Sequence, residues 1–143
     1  MIVVTKIFRF EMAHAILGYN GKCRNIHGHS YELHVTVAAE KQVDGFLPPP
    51  GFVIDFKDLK KIVNNKVIDE MDHKLVLSNA YIEERCKEAT FANLVVFPAE
   101  PTAENLLIDI SNRLHNSLPE GIKLKRLKLY ETKDSYAEWL EGS

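Results

Sequence analysis

Cys23, His27 and His29 sit together in the stretch CRNIHGHSY, and a single glycine, Gly28, separates the two imidazoles. In an extended backbone, residues two apart project to the same side, so His27 and His29 present both rings to one face. The glycine between them is expected to leave room for an ion. His14 closes an earlier strand-like run, and antiparallel pairing of the two segments would bring a third imidazole to the others. Three imidazoles with a free fourth position describe a catalytic zinc site, where the metal acts as a Lewis acid on an oxygen ligand. Cys23 is the competing fourth ligand and would close the shell into a structural site of one cysteine and three histidines. A chance HGH with no metal is the third reading.

Two further groups could handle protons or charge. Asp72 and His73 are adjacent in MDHK, and a carboxylate beside an imidazole can orient it or raise its basicity, although such neighbours are common on ordinary surfaces. Glu131, in YET, shares strand parity with Leu127 and Leu129, and a carboxylate is costly to bury there unless donors or a cation meet it. It fits a rim position beside Lys133 equally well. His34 has the opposite strand parity to His27 and His29, and His115 lies late in a helix, so both are expected at the surface.

The elements that must position these groups follow from periodicity. Residues 2–12 alternate as a strand, with Phe8, Phe10 and Met12 against Ile7, Arg9 and Glu11. From Tyr31 a second strand places Tyr31, Leu33, Val35 and Val37 on one face. The segment DGFLPPPG forms a turn, since consecutive prolines fix φ and lack donors. A helix then starts at an Asp55 cap, carries Phe56, Leu59, Ile62 and Val63 on one stripe, and ends near Val67. A second helix starts at PTAEN, where Thr102 caps and Glu104 complements the dipole, buries Leu106, Leu107, Ile110 and Leu114, and stops before Pro119 and Gly121. IKLKRLKLYET and YAEWLEG are the last strands, joined by a turn around Lys133. The apolar parity of the first of them changes between Leu124 and Leu127, which predicts a bulge. Residues 75–98 are the least legible and have room for a short helix and an extra strand. The order β-β-α-α-β-β points to an α+β fold with an antiparallel sheet covered on one face.

The 143 residues, 45% of them hydrophobic, suit one domain spanning 1–143. A net charge of −2 gives no basic excess for nucleic acid. Two cysteines, Cys23 and Cys86, are too few for a disulfide framework. No apolar run approaches the roughly 18 residues needed to span a membrane. MIVVTKIFRF does not read as a secretion signal, and the cytoplasm is the expected compartment.

Taken together, FEMAH (Phe10 to His14), CRNIHGHSY, GFVIDFKDLK, MDHK, PTAEN and YET resemble, in order and separation, the 6-pyruvoyl tetrahydropterin synthase / 6-carboxytetrahydropterin synthase family. The resemblance implies a T-fold (tunnelling fold), a four-stranded antiparallel sheet with two helices on one face. Such units assemble as a trimer-based homo-oligomer, often a hexamer. It implies zinc (Zn2+) held by His14, His27 and His29, with Cys23 as a proton-transferring base off the metal. Asp72 and His73 match a relay pair reaching the site from a neighbouring subunit, and Glu131 matches the carboxylate that anchors a pterin, with Thr102 and Glu104 in the same pocket. The implied substrate is a pterin triphosphate, 7,8-dihydroneopterin triphosphate, with Lys22, Arg24 and Lys133 as candidates to hold the polyanion. The short gap between Cys23 and HGH resembles the queuosine-pathway 6-carboxytetrahydropterin synthases, and the 6-pyruvoyl enzymes are the alternative. A third branch, which cleaves the side chain by a retro-aldol route, carries glutamate where Cys23 stands. A non-catalytic, zinc-stapled pterin-binding module, with Cys23 as a ligand, is a further alternative. Residues 78–98 depart from the family pattern in being longer than its usual connection.

Overall fold

The computed structural model describes residues 1–142. β1 (Val3–His14) and β2 (His27–Ala39) pair antiparallel from Val3 opposite Ala38 to His14 opposite His27. Alternation decides what each buries: Phe8, Phe10 and Met12 on β1 and Tyr31, Leu33, Val35 and Val37 on β2 all face the core. β5 (Ile122–Thr132) lies antiparallel along β2, and β6 (Ser135–Leu140) lies antiparallel along β5. The bulge expected near Leu124 is present. Val37 pairs with Leu124 and Thr36 with Arg126, which leaves Lys125 as the extra residue and returns Leu124 and Leu127 to one buried face.

The sheet has six strands, not the four antiparallel ones expected. β3 (Lys74–Ser78) runs parallel to β1, and β4 (Leu94–Phe97) runs parallel to β3, giving the order β4-β3-β1-β2-β5-β6. The reason lies in how β3 is covered. Leu75, Val76, Leu77 and Ser78 are all buried, so the strand has no polar side and no alternation to reveal it.

Among the described residues four α-helices accompany the sheet. α1 (Phe56–Val63) is capped by Asp55, whose carboxylate accepts from the Lys57 N–H at 2.9 Å. The helical path does not end at Val67: a π-type stretch, Asn64–Ile68, carries it into α2 (Asp69–Met71). Leu59, Val63, Val67 and Met71 explain the extension, since they are spaced by four and all buried. α4 (Ala103–His115) has the expected Thr102 cap, 3.1 Å from the Asn105 N–H, and buries Leu106, Leu107, Ile110 and Leu114. Each of these fully buried aliphatic chains contributes about 2 kcal/mol by the area it removes from water. Beyond α4 the chain reaches β5 through Gly121, whose φ of 83° a residue with a Cβ rarely adopts.

α3 (Asn79–Arg85) departs from the expected arrangement of helices on one face. Val76 faces the main core, whereas its neighbours Leu75 and Leu77 join Ala15 and Tyr81 in a second, smaller core with Ala13 and Leu94 packed against it. By strand alternation this second core lies on the opposite side of the sheet.

Candidate active site

The β1–β2 register builds the imidazole cluster. His14 pairs directly with His27, Met12 pairs with His29, and all three rings continue the inward parity of Phe10 and Tyr31. Their ring centroids are 4.6 to 5.1 Å apart, and one ligand nitrogen from each lies within 4.8 Å of the others. The expected convergence of a third imidazole on HGH therefore follows from the hairpin register. Gly28 is not what makes room for an ion. A Cβ there would meet only the Met12 carbonyl oxygen at 3.6 Å, an ordinary contact, because position 28 points to the other face.

Backbone carbonyls set the tautomers. His14 Nδ1–H donates to the Pro101 carbonyl at 2.7 Å, and His27 Nδ1–H donates to the Asn25 carbonyl at 2.7 Å. The two Nε2 atoms stand 3.0 Å apart. In the neutral tautomers both present lone pairs to the same point, an arrangement that a cation between them satisfies. The spacing is close to the roughly 3.3 Å that tetrahedral zinc with bonds of about 2.0 Å imposes on its nitrogens. Burial holds His14 neutral: its pKa is lowered from 6.5 to about 4, chiefly by desolvation, with the Pro101 bond opposing and His27 and His29 adding to the fall. His29 is lowered as well, again by burial first, while the Glu131 carboxylate pulls the other way. Neutral imidazoles are the form that binds a metal.

Cys23 is not part of this three-nitrogen group. It sits in a 3-10 turn, Lys22–Arg24, and lines a cavity of about 200 Å³ together with His14, Ile16, Tyr19, Thr102, Ala103, Glu104 and Glu131. Five residues singled out from sequence thus share one wall-to-wall space: His14, Cys23, Thr102, Glu104 and Glu131. Glu131 reaches it through a second bulge, since Tyr130 pairs with Tyr136 and Thr132 with Ser135, leaving Glu131 as the extra residue. Bulges of this kind re-aim a side chain. Beneath the cavity Tyr31 is buried and stacked on Phe10 at 5.1 Å; burial and the nearby Glu131 and Cys23 push its hydroxyl well above the ordinary tyrosine range.

Asp72 and His73 stand elsewhere in the chain. His73 lines a different hollow, with Glu11, His29, Ser30 and Asn93, and its side chain is 78% exposed. Its backbone is held at φ 61°, with its N–H on the Glu11 carbonyl at 2.6 Å and its carbonyl accepting from the Asn93 amide at 2.9 Å. Asp72 accepts from the Glu11 N–H and from His73 Nδ1–H, both at 2.9 Å, and these bonds hold its carboxyl below the usual range, the Glu11 bond most. Lys133 is exposed on the rim of a larger hollow with His29 and Glu131, while Lys22 and Arg24 are exposed beside Cys23. His115 is exposed as expected, but His34 is half-buried, bonded to Glu32 at 2.8 Å and close to the Tyr130 ring. Sequence reasoning missed Pro101, Asn25, Tyr19 and Tyr31. The first two act through carbonyls, which leave no mark on a residue pattern.

An inward-facing triad of histidines that could hold a metal ion, with a thiol and a carboxylate around the neighbouring cavity, sits on an α+β scaffold. The family model for 6-pyruvoyl tetrahydropterin synthase matches residues 3–141, and the chain belongs to that family. It is 34% identical to a 6-carboxy-5,6,7,8-tetrahydropterin synthase of Haemophilus influenzae, with 99% of this chain and 100% of that protein covered. It is also 34% identical to a dihydroneopterin monophosphate aldolase of Pyrococcus furiosus, over 85% of this chain and 82% of that one. Among solved structures, the 6-pyruvoyl tetrahydropterin synthase of Caenorhabditis elegans superposes with a TM-score of 0.69 at 23% identity, covering 99% of this chain and 96% of that one, which shows the shared fold.

Proposed function

We propose that this chain is a zinc-dependent 6-carboxy-5,6,7,8-tetrahydropterin synthase, converting 7,8-dihydroneopterin triphosphate to 6-carboxytetrahydropterin, acetaldehyde and triphosphate on the route to queuosine. The observation that carries the reading is the cavity shared by His14, Cys23, Thr102, Glu104 and Glu131 beside the three imidazoles. His14, His27 and His29 would hold the zinc, which supplies Lewis acidity to the hydroxyls of the substrate side chain. Glu131 accepts the adjacent ring N–H and exocyclic NH2 of the pterin, a paired donor set that matches a carboxylate. Cys23 removes the proton from the side-chain carbon as a thiolate. His73, oriented by Asp72, handles the proton at the next carbon.

Within one chain His73 and Cys23 face different hollows, which favours a homo-oligomer whose sites combine the two from adjacent subunits; the family resemblance implies that it is trimer-based, in hexamer form. Lys22, Arg24 and Lys133 offset the triphosphate charge. A reducing cytoplasm suits a base that must stay a free thiol. Cys23 also separates this chain from the aldolase branch, where the resemblance places a glutamate. The test is product identification: zinc-loaded protein with 7,8-dihydroneopterin triphosphate should yield 6-carboxytetrahydropterin and acetaldehyde. A 6-pyruvoyl product would assign it to the biopterin branch, and no turnover with intact zinc would leave a pterin-binding module.

A further inference from the structure

Residues 15–26, which carry Cys23 between β1 and β2, contain no regular structure except the turn Lys22–Arg24. Besides the turn's own backbone bonds and the His27 Nδ1–H bond to the Asn25 carbonyl, three hydrogen bonds hold them in shape. The Ile16 N–H donates to the Cys23 carbonyl at 2.8 Å, the Leu17 N–H donates to Glu100 Oε1 at 2.6 Å, and the Tyr81 hydroxyl donates to the Arg24 carbonyl at 2.8 Å. The first lies within the loop. The other two come from α3 and from the residues just after β4, the same excursion that adds two strands to the sheet and a second core to its far side.

Tyr81 is built to hold still. Its N–H is bonded to the Ser78 hydroxyl at 3.0 Å at the capped start of α3, and its ring is 5% exposed among Ala15, Leu75 and Leu77. A hydroxyl on so fixed a ring cannot follow the loop, so the loop must settle on it. The bond falls on the carbonyl of Arg24, the residue next to Cys23, while the Lys22 and Arg24 side chains on either side of the thiol are exposed.

We propose that Tyr81 is a positioning residue for Cys23: its hydroxyl fixes the Lys22–Arg24 turn so that the thiol faces the cavity of His14 and Glu131, and Glu100 fixes the loop's first half. This rests on the reading of Cys23 as the proton-transferring group. Tyr81 does not line that cavity, so it acts on a substrate only through the turn.

Tyr81→Phe keeps the packed ring and deletes the one bond. In the zinc-loaded protein we expect kcat to fall about tenfold, the scale of one lost hydrogen bond to a reacting group's support, with KM and zinc content unchanged. A second readout needs no turnover. With iodoacetamide, Cys23 should be labelled severalfold faster in the variant, measured against Cys86 in the same digest. A lower melting temperature with kcat and the Cys23-to-Cys86 labelling ratio both unchanged would overturn the proposal and leave Tyr81 a packing residue. Should Tyr81→Phe fail to fold, Glu100→Ala releases the other anchor and must show the same two effects, and their absence overturns the proposal as well. If the unaltered protein turns over no pterin, the assigned reaction fails, and the labelling ratio alone decides whether Tyr81 holds the turn.

Discussion

Metal-free protein should lose stability in acid at a pH that its carboxylates do not explain. His14 is 2% exposed and its pKa is lowered from 6.5 to about 4 by burial. The unfolded chain takes up a proton on this ring below about pH 6.5, while the folded chain refuses it until about pH 4. Stability is therefore whole above pH 6.5, falls as the pH drops through that window, and levels off once the folded ring also protonates. At about 1.4 kcal/mol per pH unit the loss comes to roughly 3 kcal/mol, a melting temperature about 10 °C lower. His29, lowered in the same direction, adds to it. Glu32, Asp72 and Glu141 are also depressed, by bonds to His34, the Glu11 N–H and Lys125 respectively, and their contributions are lost only as the pH falls through the ordinary carboxylate range toward their lowered folded values, beneath most of the His14 window. Urea unfolding with a chelator at pH 7.5 and pH 4.5 isolates the effect, with His14→Asn as the comparison, because asparagine keeps a donor for Pro101 but does not titrate. The wild type should lose clearly more than the variant. Equal losses in both would refute the buried, neutral His14.

Three other outcomes are expected. Cys23→Ala should keep its zinc, measured by elemental analysis, and lose turnover, because three imidazoles suffice to hold the ion. Glu131→Gln should weaken pterin binding about tenfold to a hundredfold in a fluorescence titration, the scale of a charge-assisted bond lost, with little change in thermal stability. Subunits carrying Cys23→Ala mixed with subunits carrying His73→Ala should regain activity that neither has alone, and persistent inactivity after verified exchange would argue against a shared site.

Much of this arrangement is written in short-range pattern. Strict alternation around Phe10 and Tyr31 exposes the hairpin, and the hairpin register then brings His14 to His27. Asp55 and Thr102 mark helix starts because a side-chain oxygen before an apolar stripe has one obvious use. The parity change at Leu124 reveals its bulge, since a strand that switches faces must gain a residue. β3 stays hidden because LVLS is buried on both sides, and its neighbours in the sheet are far away in sequence. The placement of α3 across the sheet is equally opaque, being decided by Leu75 and Leu77 facing away from Val76. At the site, side chains that bind or react are legible from their types, whereas the Pro101 and Asn25 carbonyls that set the imidazole tautomers are not. The Glu131 bulge escaped notice for a related reason: no apolar residue follows it to betray the change of face.

The division of labour within CRNIHGHSY is tested most directly by X-ray absorption at the zinc edge of the purified protein. Three imidazole nitrogens at about 2.0 Å with an additional light oxygen donor and no sulfur are predicted; a sulfur at about 2.3 Å would put Cys23 on the metal and contradict its role as a base beside it.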